Sequence, residues 1–422
     1  MKVIKYNEID ENFFQYQEIK EIKTVKKIIN DVKKTGDKAL KKYTKQFDKV
    51  ELDQIKVAGV EIENAYKRAT KDELEAIEKA AENIKIFAQK QKEQFNNFEF
   101  EIKKGVLTGQ TIKPIRRVGI YVPGGNFPLV STLLMCAIPA QVAGVSELAV
   151  CSPPSCEGSI HPLILSIAQI LKITEIYKLG GIQAIAALAH GTETVKKVDK
   201  IVGPGNKYVQ SAKKEVLGSV GIDFIAGQTE IMIIADEIAE AKTVASDLLS
   251  QAEHDVDALP ILATTSERLA KAVLNEIHNQ LNNLKTKDIA EQSITKKGMI
   301  ILLDNLEDGI ELANRRGPEH LEIQIKDFDR HKDKFNNYGS LFIGKYSAEA
   351  LGDFASGLNH TLPTNTTSRY TGGLCVKDFL KIQTTLRVTE EGLKAIGPIA
   401  EKLAEIEGLH AHGESIRKRY NK

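Results

Sequence analysis

Residues 115–125 read IRRVGIYVPGG. A short apolar run stops at Pro123-Gly124-Gly125, where glycine lets the backbone turn tightly or approach a ligand closely. The pattern then repeats. STLLMCAIPAQVAGV (131–145) reads as a helix, ELAVCSPPS (147–155) as a buried strand and turn, and IHPLILSIAQILKI (160–173) as a helix. EIYKLGG (175–181) and KIVGPGN (200–206) are strands ending in glycine turns, with helices AIAALAHGTETV (184–195) and KYVQSAKKEVLG (207–218) after them. Strands that alternate with helices, with glycine behind the strands, predict a parallel sheet covered on both faces. This stretch is therefore expected to form an α/β unit of the nucleotide-binding kind, although no G-x-G-x-x-G fingerprint is present.

The same texture resumes downstream. GIDFIAG (221–227), IMIIAD (231–236), LPILATTS (259–266), GMIILLD (298–304), HLEIQI (320–325) and SLFIG (340–344) read as strands, with charged helices at 239–254 and 266–281. Upstream, residues 1–100 read as helices: Val25, Ile28, Ile29 and Val32 have helical spacing, and Gly36 is expected to break that helix. Residues 71–92 form a second amphipathic pattern. After 346 the chain turns irregular, and a helical tail follows.

The 422 residues call for more than one core. With 58 basic and 57 acidic residues the net charge is +1, which gives no electrostatic reason to expect nucleic acid or a membrane surface. The opening MKVIKYNEID lacks the apolar core of a leader, and no long uncharged apolar run exists. Cys136, Cys151, Cys156 and Cys375 form no CxxC pair and read as reduced thiols, so a cytoplasmic location is expected.

Several segments carry candidate chemistry. RRGPEHLEI (315–323) sets Glu319 beside His320. Proline followed by an acid also suits a plain helix start, whereas Glu and His are the usual proton carriers near neutral pH. Gln251 and His254 are spaced to share a helix face, but two ligands cannot hold a metal alone. Asp353, Asn359 and His360 lie in the irregular loop, and His410 and His412 in the tail.

In their order along the chain, IYVPGG (120–125), GPGNKYV (203–209), QAEHD (251–255), GPEHLE (317–322), GDFASGLNHTLPT (352–364), SRYTGGL (368–374) and EGLHAHGESIR (407–417) resemble the motif series of the histidinol dehydrogenase family. The resemblance implies oxidation of L-histidinol to L-histidine by way of L-histidinal, the last steps of histidine biosynthesis, with two NAD used in two hydride transfers and one zinc bound per subunit. His320 is then the general base, and Glu319 activates the water that hydrates the aldehyde. Zinc falls to Gln251, His254, Asp353 and His412, an N/O set without thiolate that fits an open catalytic site. These four and the catalytic pair also touch substrate, joined by Thr229, His360 and Glu407. NAD falls to Tyr121, Gln183 and Asn206. Gly227-Gln228-Thr229-Glu230 departs from the family's usual Gly-Pro-Ser-Glu; Thr229 keeps the hydroxyl.

The implied fold is α/β: two parallel-sheet Rossmann-like domains, an N-terminal helical segment and a small C-terminal helical tail swapped in a homodimer. The expected division is a helical arm at 1–20, a discontinuous α/β domain (21–100 and 228–375) with the substrate and zinc site, an NAD-binding α/β domain (101–227), and a tail (385–422) reaching the partner subunit. A zinc- and NAD-dependent alcohol dehydrogenase on the same scaffold, such as a sulfopropanediol dehydrogenase, is the alternative. It would keep Glu319, His320 and the metal ligands and change the substrate contacts, so His360 and Glu407 favour histidinol.

Overall fold

A computed structural model describes residues 1–18, 22–124, 128–155 and 158–420. Gly125 of the Pro-Gly-Gly turn and Cys156 lie outside the described residues. The chain opens with strand β1 (Lys2–Lys5), then helices α1 (Lys23–Phe47), α2 (Gly59–Arg68) and α3 (Lys71–Lys92). A hairpin, β2 (Phe98–Lys103) and β3 (Val106–Pro114), leads to β4 (Arg117–Tyr121), α4 (Val130–Ala143), β5 (Glu147–Ser152), α5 (Pro162–Ile170), β6 (Ile176–Lys178), α6 (Gly181–His190), β7 (Lys200–Val202), α7 (Lys207–Val216) and β8 (Gly221–Ile222). Then come β9 (Glu230–Ala235), α8 (Ala241–Ala252), β10 (Leu259–Thr264), α9 (Glu267–Leu281), α10 (Lys287–Lys296), β11 (Met299–Leu302), α11 (Leu306–Arg316), β12 (His320–Gln324), β13 (Ser340–Ile343) and α12 (Glu349–Phe354). The chain finishes with β14 (Leu380–Val388), α13 (Glu390–Ile406) and α14 (His410–Tyr420).

Two parallel sheets carry the fold. The first, in order β6-β5-β4-β7-β8, reverses its strand order between β4 and β7, and in such sheets ligands bind at the carboxyl ends beside the reversal. The second runs β1-β11-β10-β9-β12-β13, also parallel throughout. Each is covered on both faces by buried aliphatic side chains, as continuous apolar strands such as IMIIA require.

The division of the chain differs from expectation. Residues 1–14 are not a helical arm: β1 adds a strand to the edge of the second sheet, with Ile4 buried, and two single 3-10 turns follow. The helices in 21–100 do not join 228–375. Val25, Ile28, Ile29 and Val32 of α1 pack with α6 and α7, and Ile62, Ile77, Ala81 and Ile84 of α2 and α3 pack with α4 and α5, all on the first sheet. An amphipathic pattern shows that a face will be buried but not against which partner. Gly36 breaks the helical path as expected: at φ +48 and ψ −129 it is non-helical, and two helical stretches meet there at a kink inside α1, where a side chain would also strike the Glu193 carboxylate. GIDFIAG supplies only the two-residue β8.

A third sheet was not anticipated. β2 and β14 flank β3, antiparallel, and β2 exposes Phe98, Phe100 and Ile102 on alternate positions. That period of two was legible in FEFEIK. The tail continues this unit: Ile382, Leu386, Ile399, Leu403 and Ile406 are exposed as well. No helix among the described residues is long and apolar enough to cross a membrane.

Candidate active site

Glu319 and His320 do not start a helix. α11 stops at Gly317, whose φ of +57 lets its N–H reach Ala313 O at 2.7 Å, and Pro318 prevents continuation. The chain then enters β12, which lies between β9 and the edge strand β13 of the second sheet, with Glu319 and His320 at its buried leading end. Gly339 faces them: a Cβ there would lie 2.4 Å from Glu319 O.

Glu230, first residue of β9, organises the pair through its backbone. Its N–H donates to Glu319 Oε2 at 2.9 Å, and its carbonyl lies 3.1 Å from His320 Nδ1. A carbonyl only accepts, so Nδ1 carries the proton and Nε2 is the basic atom. The Glu230 carboxylate is itself held by Arg316 at 2.6 Å and by the Asn365 N–H at 3.1 Å. The Thr229 hydroxyl donates to Glu319 Oε2 at 2.6 Å and accepts from Gln251 Nε2 at 2.7 Å. Gln251 is fully buried, and its Oε1 has no hydrogen-bond partner among the described residues.

His320 Nε2 faces two carboxylates of α12: Glu349 Oε1 at 3.6 Å and Asp353 Oδ1 at 3.7 Å. Residues 349 and 353 are one helical turn apart, so both side chains point the same way. His254, in the turn just beyond α8, completes the cluster: ligand atoms of His254, Glu349 and Asp353 all lie within 4.8 Å of one another. Such an N/O donor set, beside the orphaned Gln251 oxygen, fits a divalent cation.

The electrostatics follow from burying many charges together. Burial pushes Glu319 up to about 7 and Glu349 up to about 8. Burial acts against charge on His320, but the Glu319, Asp353 and Glu349 carboxylates outweigh it and hold the imidazole up to about 10. Burial would raise Asp353 too, yet His320 holds it at about 2. His254 is exposed at the rim but crowded beneath, and His360 is half-buried; burial lowers both. Asp353 counts among the charges acting on His360, whose Nε2 lies 3.0 Å from Ser131 Oγ.

The structure thus gathers Thr229, Gln251, His254, Glu319, His320, Asp353 and His360 into one region. Glu407 and His412 stand exposed on the tail, outside this cluster. Tyr121, Gln183 and Asn206 line the carboxyl edge of the first sheet. Tyr121 Oη accepts from Gly181 N at 3.0 Å, Gln183 is in the first turn of α6, and Asn206 caps α7 through Tyr208 N at 3.0 Å. Gly203, which opens the GPGN turn at φ +120, leaves no room for a side chain against Tyr121 O. Glu349, Glu230 and Arg316 were missed from sequence. The one available signal was Glu349 four residues before Asp353; the other two read as ordinary charges.

A buried proton carrier beside a metal-type donor set, at the sheet end of a two-sheet α/β chain, defines a class of polar-substrate enzyme. The comparisons make the class specific. The histidinol dehydrogenase family profile matches residues 14–420. The histidinol dehydrogenase of Methanocaldococcus jannaschii is 46% identical over 97% of this chain and 95% of its own, and that of Clostridium acetobutylicum 46% over 94% and 92%. The crystal structure of the histidinol dehydrogenase from Elizabethkingia anophelis superposes with a TM-score of 0.94 at 41% identity, covering 100% of this chain and 98% of that one. The chain belongs to the histidinol dehydrogenase family, a family of oxidoreductases.

Proposed function

We propose that this protein oxidises L-histidinol to L-histidine through L-histidinal, passing two hydrides in succession to NAD, in the last steps of histidine biosynthesis. The observation that carries the reading is His320, whose Nδ1 is committed to a backbone carbonyl while its buried Nε2 has no hydrogen-bond partner among the described residues. Nε2 is free to take the alcohol proton as hydride leaves, and again in the second oxidation, once the negative charge that otherwise keeps a proton on the imidazole is taken up by a cation held by His254, Asp353 and Glu349. An aldehyde has no hydroxyl to deprotonate, so water must add before the second hydride can leave. Glu319, with burial raising it to about 7, is poised to take the water's proton.

Gln251, His254 and Asp353 would hold a zinc ion, with Glu349 beside them and His412 arriving from the partner subunit of a homodimer. When bound, the metal supplies charge and coordination for the substrate amine and imidazole, leaving the redox chemistry to NAD. His360, Thr229 and Glu407 orient the substrate, and Tyr121, Gln183 and Asn206 hold the dinucleotide. In this reading the substrate and metal chemistry belongs to the second sheet, the dinucleotide to the first, and the protein works in the cytoplasm.

The test is NADH formation at 340 nm by purified protein with histidinol, with sulfopropanediol and with neither, before and after chelation. Turnover of histidinol, lost on chelation and restored by zinc, is expected. Turnover of sulfopropanediol alone would reassign the substrate, and full activity in metal-free protein would remove the zinc.

A further inference from the structure

Asp48 has no role in the chemistry above, yet it sits among the groups assigned to the dinucleotide. It follows the last turn of α1, where its N–H closes onto Thr44 O at 2.9 Å and Lys49, at φ +61, turns the chain away. α1 packs on α6, so this turn is delivered to the N-terminus of α6. There Gln183 Nε2 lies 3.4 Å from Asp48 Oδ2. Asp48 Oδ1 lies over Gly180, 3.1 Å from where a Cβ would stand, and Pro153 closes the other side at 2.7 Å. Among the described residues Asp48 makes no ion pair, and burial pushes its carboxyl up only to about 6, so it is largely ionised above neutral pH.

A free carboxylate at a helix N-terminus would by itself be a capping detail. A second observation points outward: Gln183, 1% exposed, has an Oε1 without a hydrogen-bond partner among the described residues. The edge therefore offers acceptors, Asp48 and Gln183 Oε1, where dinucleotide sites meet hydroxyl groups. All these groups rest on the first sheet, whereas Glu319 and His320 rest on the second. The nicotinamide must reach His320, so the end of the dinucleotide that meets Asp48 is the adenosine end.

We infer that Asp48 accepts the hydroxyls of the adenosine ribose and selects NAD over NADP. A carboxylate pairs with a vicinal diol and repels a 2′-phosphate, which carries about −1.5 to −2 charge at neutral pH. In dinucleotide-binding sheets this acid usually follows the second strand of the unit. Here it arrives from α1, outside the sheet, so no motif around β5 announces it. The inference rests on the proposed use of NAD.

The experiment titrates the zinc-loaded protein with ADP-ribose and with its 2′-phosphate by calorimetry, for wild type, Asp48→Asn and Asp48→Ser, with melting temperatures alongside. Wild type should bind ADP-ribose at least ~10-fold tighter than the 2′-phosphate, as a lost charge-assisted hydrogen bond of about 1.5 kcal/mol would give. Either variant, melting as wild type does, should lose about that factor for ADP-ribose and bring the two ligands level. The NADP-to-NAD ratio of kcat/KM should rise in parallel. An unchanged ratio in two folded variants of a wild type that binds ADP-ribose would overturn the role of Asp48 alone. A wild type that binds neither ligand would overturn the NAD reading together with it.

Discussion

His320 Nε2 and Glu349 Oε1 stand 3.6 Å apart, both buried and neither hydrogen-bonded among the described residues. Two such orphans side by side are costly unless something else enters between or beside them. Glu349→Gln should therefore weaken zinc binding ~10-fold or more, as loss of a group supporting metal ligands does. Competition against a chromophoric chelator measures this. An unchanged zinc affinity would show that Glu349 only balances the charge of His320.

The metal-free protein should lose stability as pH rises. Burial raises Glu319 to about 7, and Glu322 and Glu349 to about 8, above the 4.5 of an unfolded chain. His320 is also raised, to about 10 from 6.5, its carboxylate neighbours outweighing burial. Groups whose folded pKa lies above the unfolded value stabilise fully below the unfolded pKa and lose that contribution as pH climbs through the folded one. Asp353 works the other way, but only below its usual 3.8. Melting of chelated protein should thus fall steadily between pH 6 and 9. Zinc should flatten the slope, since a cation replaces protons as counter-charge. A chelated protein that melts higher at pH 9 than at pH 6 would contradict the assignment.

Thr229 links Gln251 to Glu319, so its hydroxyl matters more than its methyl. Thr229→Val strips a donor from buried Glu319 and an acceptor from buried Gln251, at a cost of about 1–3 kcal/mol; Thr229→Ser should be nearly neutral. Denaturant unfolding reads the difference, and equal losses in the two variants would place the effect in packing.

The two oxidations should separate by mutation. His320→Asn should slow both, by about 10²–10⁴-fold. Glu319→Gln should slow oxidation of added histidinal more than the first hydride transfer in a single turnover. Equal losses in both steps would remove Glu319 as the group that activates water.

His412 and Glu407 are exposed within the chain, on a tail whose Ile399, Leu403 and Ile406 also face outward. If the tail completes a partner's site, His320→Asn and His412→Ala subunits, each dead alone, should complement. About half of randomly paired dimers are mixed and each keeps one intact site, so roughly a quarter of wild-type activity should return. Inactive mixtures with proven heterodimers would rule out exchange.

The sequence by itself determined most strands and helices of the two parallel sheets and the identities of most reactive groups, but not β1 or the antiparallel sheet. Alternating apolar runs and glycine turns gave two parallel sheets, because a strand buried on both faces must read as a continuous apolar run. The ordered motifs marked Glu319, His320, His254 and Asp353, because short motifs survive as text. Tertiary structure decided what packs on what. The helices between residues 23 and 92 lie on the first sheet and β1 on the second, choices set by shape and not by periodicity. It also decided which distant charges meet. Glu230 holds both catalytic residues by its backbone, Glu349 faces His320, and Asp48 reaches Gln183 across 135 residues of chain. A lone carboxylate in a sequence has no direction. Only the fold gives it a neighbour and a dielectric, and with them its charge and its use.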